Sequence, residues 1–196
     1  MNATKKLDHQ VREHAQRLKE VGVAALNGLF DLTAQRLVRL AVTITRNQHD
    51  GEDAVQAALL RVANEPGLLS NADYPWAYLL RMVRNEALLV LRRKKRAYPL
   101  ANLSDLITHC TVDQAEREEQ FQAVWKALRK LPSTQSEVVV LKIWEGLTFS
   151  EIGSVLDISP STAASRYRYA LEKLARKLNS IGPVESEQAT DRRAAV

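Results

Sequence analysis

The sequence predicts an all-α protein made of two small helical domains joined by a linker. Three observations carry that prediction. Leu, Ala, Arg, Lys and Glu dominate the composition, and all of them favour helix. Seven glycines and six prolines are spread thinly over 196 residues, too few for a sheet protein full of turns. An apolar fraction of 45% is enough for packed cores, and the length suits one ordinary domain or two small ones.

The elements come in chain order. MNATKKLDHQVREHAQRLKE (1–20) has the pattern of an amphipathic helix, which by itself does not say whether the helix packs on the rest of its domain. In LFDLTAQRLVRLAVTIT (29–45) the apolar residues Leu29, Leu37, Leu40, Ala41 and Ile44 recur at helical spacing. Asn47 to Gly51 reads as a loop, and a helix restarts over Glu52 to Ala63 with acids in its first turn, where they suit the macrodipole. GLLSNADYP then breaks the pattern, and Pro75 is well placed to open the next helix.

That helix, PWAYLLRMVRNEALLVLRRKKR (75–96), is two-faced. Wound at about 100° per residue, Arg81, Arg84, Asn85, Leu88, Arg92 and Lys95 share one arc. Leu79, Leu80, Val83, Ala87, Val90 and Leu91 lie on the other side as a core face, and Tyr78 borders the basic arc. From Arg81 to Arg96 there are seven basic residues against one acid, Glu86. Cations engage phosphates and rings stack on unpaired bases, so this stripe points to nucleic acid.

Charge reverses over the next stretch. Residues 99–119 carry Asp105, Asp113, Glu116, Glu118 and Glu119 against Arg117, and read as an acidic linker. Residues 120–179 form a second helical unit. Val138, Val139 and Val140 alone would suggest a strand, but a Pro start, a Gly146 stop and helical neighbours favour a buried helix. Thr148 and Glu151 have capping-box spacing, and Ile152, Val155 and Leu156 give the inner face of a short helix. Asp157-Ile158 makes the corner, because Asp tolerates left-handed backbone. Ser159 then caps and Pro160 opens the last helix. Ala163, Tyr167, Ala170, Leu171, Leu174 and Leu178 line its inner side. Ser161, Thr162, Ser165, Arg168 and Tyr169 line its outer side, with Arg166 at the edge. This is a helix-turn-helix whose second helix presents small and basic groups to a major groove. The tail from residue 180 to 196 has no apolar period and reads as disordered.

Several classes drop out. A single cysteine, Cys110, excludes an intramolecular disulfide and suits a reducing, cytoplasmic setting. His109 beside Cys110 lacks a second ligand pair, so no metal site or other cofactor is expected. Neither a signal peptide nor a membrane-spanning apolar run is visible, so no membrane insertion is expected. Acids are scattered over helix surfaces and the linker rather than clustered, which argues against an enzyme.

A basic, aromatic-flanked helix, an acidic linker and a helix-turn-helix, in that order, resemble the small bacterial sigma factors of the extracytoplasmic-function type. Those contain only regions 2 and 4 of the sigma-70 family. The resemblance covers about residues 25–178. DGEDAVQAALLRV (50–62) is similar to the part of region 2 that docks on the clamp helices of RNA polymerase. YLLRMVRNEALLVLRR (78–93) is similar to the strand-opening helix that reads the −10 element, and 131–174 to region 4, which reads the −35 element.

The resemblance implies roles. Residues 1–98 would be the region 2-like domain, in which Glu52, Asp53 and Gln56 contact core RNA polymerase. Trp76, Tyr78, Arg81, Arg84, Asn85, Arg92 and Arg93 would engage the −10 element, and Ser161, Thr162, Ser165, Arg166, Arg168 and Tyr169 the −35 element. Promoter DNA and core polymerase are thus the implied partners, and the family also admits an anti-sigma factor. Four departures touch the site: Tyr78 stands where Trp is usual, Leu89 replaces a common Asp, and Ala164 and Tyr169 occupy positions that are often basic. Outside it, Asp157 replaces a usual Gly at the corner. The alternative is a stand-alone helix-turn-helix regulator, which would lack the 50–62 and 78–93 segments.

Overall fold

In the computed structural model the described residues are 3–97 and 119–179, which form helices and the turns between them. The acidic linker, Cys110 and the tail lie outside them. Among the described residues no helix is long and apolar enough to cross a membrane.

The first half begins with α1 (Ala3–Val21), a 3-10 turn (Gly22–Ala25) and α2 (Leu26–Thr45). Then come α3 (Gln48–Asn64), the single turn α4 (Gly67–Ser70) and α5 (Pro75–Ala97). Helices α2, α3 and α5 pack against one another around Leu37, Leu40, Val55, Leu59, Leu79 and Leu80. The loop expected over Asn47–Gly51 is shorter than the sequence suggested. Arg46 ends α2 in the left-handed conformation (φ 60°), and Asn47 then caps α3 by accepting from the Asp50 N–H at 3.1 Å. The N-terminal helix does pack on the domain, burying Leu7, Val11, Ala15 and Leu18 against α4, α5 and the 3-10 turn.

The second half consists of α6 (Glu119–Arg129), α7 (Ser133–Ile143), α8 (Phe149–Leu156) and α9 (Pro160–Asn179). The valine run is helical, and Val138, Val139 and Val140 are all buried. Val138, Val140, Leu141, Ile152 and Leu156 join the core of the first half, while Val139, Ala170 and Leu174 pack with Leu128 and Leu131 in a smaller one. The two halves therefore share a core: α7 lies on α2, and α8 lies on α5. Leu171, expected on the inner side of α9, is instead 39% exposed.

Candidate nucleic-acid interface

Helix α5 is fixed at both ends. At its start the Trp76 N–H donates to Asp8 Oδ1 at 2.8 Å, a cap supplied from 68 residues away. Arg12 reinforces the same corner by donating to the carbonyls of Ser70 (3.0 Å), Ala72 (2.8 Å) and Asp73 (3.0 Å). Burial pushes the Asp8 carboxyl up, and the Trp76 N–H pulls it back. Near the far end Lys94 Nζ bonds Asp50 Oδ2 at 2.7 Å, which ties α5 to the first turn of α3.

The basic arc divides into two groups. Arg81, Asn85, Arg92 and Lys95 are exposed along one side of α5, and Arg93 is exposed about 100° round the helix from Arg92. Arg84 is half-buried, and its Nε donates to Glu137 Oε2 at 2.8 Å. Tyr78 is partly buried against the core. Trp76 is fully buried, and its Nε1–H finds no acceptor among the described residues. In this arrangement the Trp76 ring is a core side chain, so base stacking is not assigned to it.

On α3, Asp53 and Gln56 are exposed and Glu52 partly so. Leu60, one turn beyond Gln56, is 61% exposed. Leu60 shares the outer face of α3 with Asp53 and Gln56 at i, i+3 and i+7 spacing, although one exposed Leu is by itself ordinary on a protein surface.

The helix-turn-helix follows its local signals. Thr148 Oγ1 accepts from the Glu151 N–H (3.2 Å) while the Thr148 N–H donates to Glu151 Oε2 (2.6 Å), which completes the capping box. Asp157 takes the left-handed conformation (φ 58°, ψ 51°), and the Ile158 N–H closes the corner on the Gly153 carbonyl at 3.0 Å. Ser159 Oγ accepts from the Thr162 N–H at 3.1 Å and lies within 2.9 Å of the Ser161 and Thr162 hydroxyls. Those two hydroxyls are therefore partly engaged at the helix start. Ser165, Arg168 and Tyr169 are exposed, with the Arg168 guanidinium 5.1 Å from the Tyr169 ring centre, and Arg166 is half-buried. Behind the helix, Phe149 and Tyr167 pack with ring centres 5.8 Å apart.

Two buried acids escaped the sequence reading. Glu137 (3% exposed) and Glu145 (2%) project from α7 and the turn after it toward the first half. Glu145 pairs with Arg36 (3.0 Å) and Arg39 (3.5 Å) of α2. Burial pushes both carboxyls up; Arg84, Arg166 and Arg46 counter this at Glu137, and Arg36 and Arg39 counter it at Glu145. A lone acid inside the apolar run of α7 was the available signal for Glu137. No group of three or more His, Cys, Asp or Glu able to hold a metal is present among the described residues.

Comparison with known proteins agrees with this geometry. Residues 29–97 match the family model for sigma-70 region 2, and residues 121–174 match the model for sigma-70 region 4. The chain is 32% identical to the ECF RNA polymerase sigma factor SigM of Mycobacterium tuberculosis over 157 residues, 80% of this chain and 79% of that protein. It is 29% identical over 175 residues to the RNA polymerase sigma factor CarQ of Myxococcus xanthus, 89% of this chain and 99% of that protein. Among solved structures it resembles the sigma factor RpoE of Bartonella quintana, crystallised with the anti-sigma factor NepR. The TM-score is 0.62 at 21% identity, over 76% of this chain and 94% of that one.

Proposed function

The chain belongs to the sigma-70 family, in its ECF group, and from that premise we propose how its surfaces share the work. It is a sigma factor: it binds core RNA polymerase and directs promoter recognition and transcription initiation. Residues 1–98 form the polymerase- and −10-binding domain, residues 120–179 the −35-binding domain, and the acidic stretch 99–119 links them. On α3 the docking face is Glu52, Asp53 and Gln56, to which we add the exposed Leu60. On α5 the exposed row Arg81, Asn85, Arg92 and Lys95, with Arg93 beside it, holds DNA near the −10 element. Arg84 joins that row when released from Glu137, and Tyr78 flanks it. On α9 Ser165, Arg166, Arg168 and Tyr169 face the −35 element, with Ser161 and Thr162 at the helix start.

One observation carries this assignment. A single chain holds an exposed arginine–asparagine row and a fully capped helix-turn-helix, each within its own sigma region. The chain acts by binding, with no chemical step of its own, in the cytoplasm where the polymerase works. By analogy with the RpoE–NepR complex, an anti-sigma partner is proposed as well. The test is a pull-down of core polymerase. Asp53→Arg with Leu60→Arg should weaken core capture at least tenfold and leave duplex DNA binding unchanged. Equal capture by wild type and variant would move the docking face elsewhere.

A further inference from the structure

Helix α1 does more for the DNA face of α5 than bury an apolar stripe. It lies ahead of residues 29–97, the part matched to region 2, yet its polar side reaches the turn that leads into α5. That turn has few means of holding itself. Pro75 brings no N–H, and Tyr74, just before it, has no short side-chain acceptor for the free donors of the first helical turn. Helix α1 supplies the missing partners. Asp8 Oδ1 accepts from the Trp76 N–H at 2.8 Å, and Arg12 donates from two nitrogens to the carbonyls of Ser70 (3.0 Å), Ala72 (2.8 Å) and Asp73 (3.0 Å). Asp8 and Arg12 stand at i and i+4, so one helix face sets both contacts. Leu7, Val11, Ala15 and Leu18 anchor that helix in the core.

The turn so held carries an exposed ring. Tyr74 is 59% exposed, and it continues the line of the basic row, since Tyr74, Tyr78, Arg81 and Asn85 follow at i, i+4, i+7 and i+11. Trp76 is inside the core and is not available for the same part. A ring in line with cations suits an unpaired strand, whose bases stack while its phosphates meet the arginines. A turn free to shift would spread that ring over many positions, and strand capture would then bear the entropy of ordering it.

We propose that Asp8 and Arg12 are positioning residues for promoter opening: from α1 they fix the turn 71–74, so that the Tyr74 ring is held ready to stack on an unpaired base while the α5 row takes the strand. The proposal rests on the reading of α5 as the −10 face. The test uses the full chain as holoenzyme with core polymerase. The probe is a single-stranded oligonucleotide carrying the non-template strand of the −10 element, from a promoter mapped by overproducing the protein. Asp8→Ala with Arg12→Ala should weaken oligonucleotide binding about fivefold or more, as should Tyr74→Ala alone, because each stacked base contributes appreciably. Core capture should be unchanged in both. Asp8→Asn should restore most of the loss due to Asp8→Ala, since its amide oxygen still accepts from the Trp76 N–H. In a Tyr74→Ala chain, adding Asp8→Ala and Arg12→Ala should cost little more, because brace and ring act as one unit; a merely structural role for α1 would give the full loss again. That additive result would overturn the proposal, and so would wild-type binding by the brace variant or by Tyr74→Ala. If circular dichroism shows that the double variant does not fold, Arg12→Gln, which leaves the Asp8 cap in place, decides by the same comparison. Arg81→Ala with Asn85→Ala separates the two readings: normal oligonucleotide binding by that variant would refute the −10 assignment of α5 itself, whereas its loss beside a normal brace variant would refute the positioning role alone.

Discussion

Replacing Gly153 by Ala sets two effects of opposite sign against each other inside α8. Ala is favoured over Gly in a helix interior by about 1 kcal/mol, so propensity alone predicts a more stable protein. A Cβ at this position, however, would stand 2.7 Å from the Ile158 carbonyl oxygen and 3.5 Å from the Pro160 nitrogen. Both are backbone atoms, and the same corner is already closed by the Ile158 N–H on the Gly153 carbonyl at 3.0 Å. Forcing extra volume into such a contact costs about 1–3 kcal/mol, and no flexible side chain is available to give way. Packing strain should win, for a net loss of about 1 kcal/mol and a fall in Tm of about 2–4 °C for a chain of this size. Thermal unfolding followed by far-UV circular dichroism reads the sign directly. A Gly153→Ala variant as stable as wild type, or more stable, would mean that the corner is looser than the geometry requires.

Three other outcomes are expected from the same structure. Asp8, Glu137 and Glu145 all have carboxyls pushed up by burial. The folded state therefore binds their protons more readily than the unfolded state does, and stability falls as pH rises from the ordinary carboxyl range (3.8 for Asp, 4.5 for Glu) through their raised values. Urea unfolding between mildly acidic and neutral pH should show that slope, and Glu137→Gln with Glu145→Gln should flatten it; an unchanged slope would place its origin elsewhere. Over the first half of the reading helix, residues 160–169, the only full charges are Arg166 and Arg168. The isolated contact with the −35 duplex should therefore depend on salt with a log–log slope of about −2, and a slope steeper than about −6 would count against so sparse a contact. Arg81→Ala with Asn85→Ala should abolish promoter opening, read by permanganate reactivity of the melted strand, while core capture is retained. Loss of capture would show that the wrong face of α5 had been assigned to DNA.

The parts of the fold that were legible in the sequence are those set by neighbours a few residues apart. The Thr148–Glu151 capping box, the left-handed corner at Asp157, the Ser159 cap and the Pro75 start each depend on a local hydrogen bond or a fixed φ, and each is in place. The start of α3 was misplaced because Asn47-Gln48-His49-Asp50-Gly51 has the composition of a loop. Yet Asn47 accepts from the Asp50 N–H, and Gly51 is required where α3 meets Val42, whose Cγ2 would stand 2.6 Å from an added Cβ. What the sequence could not disclose depends on contacts distant along the chain. The Asp8 cap on Trp76 and the Arg84–Glu137 and Arg36–Glu145 pairs join elements 53 to 109 residues apart. The same is true of Trp76, which lies beside the basic arc in sequence and inside the core in space.

Sigma-factor action is tested most directly by run-off transcription from purified core polymerase and the full chain on a promoter mapped by overproducing the protein. A transcript of defined start is expected only when both are present, with DNase protection over the −10 and −35 elements together. Protection of duplex DNA by the chain alone, with no transcript and no association with core, would contradict that role.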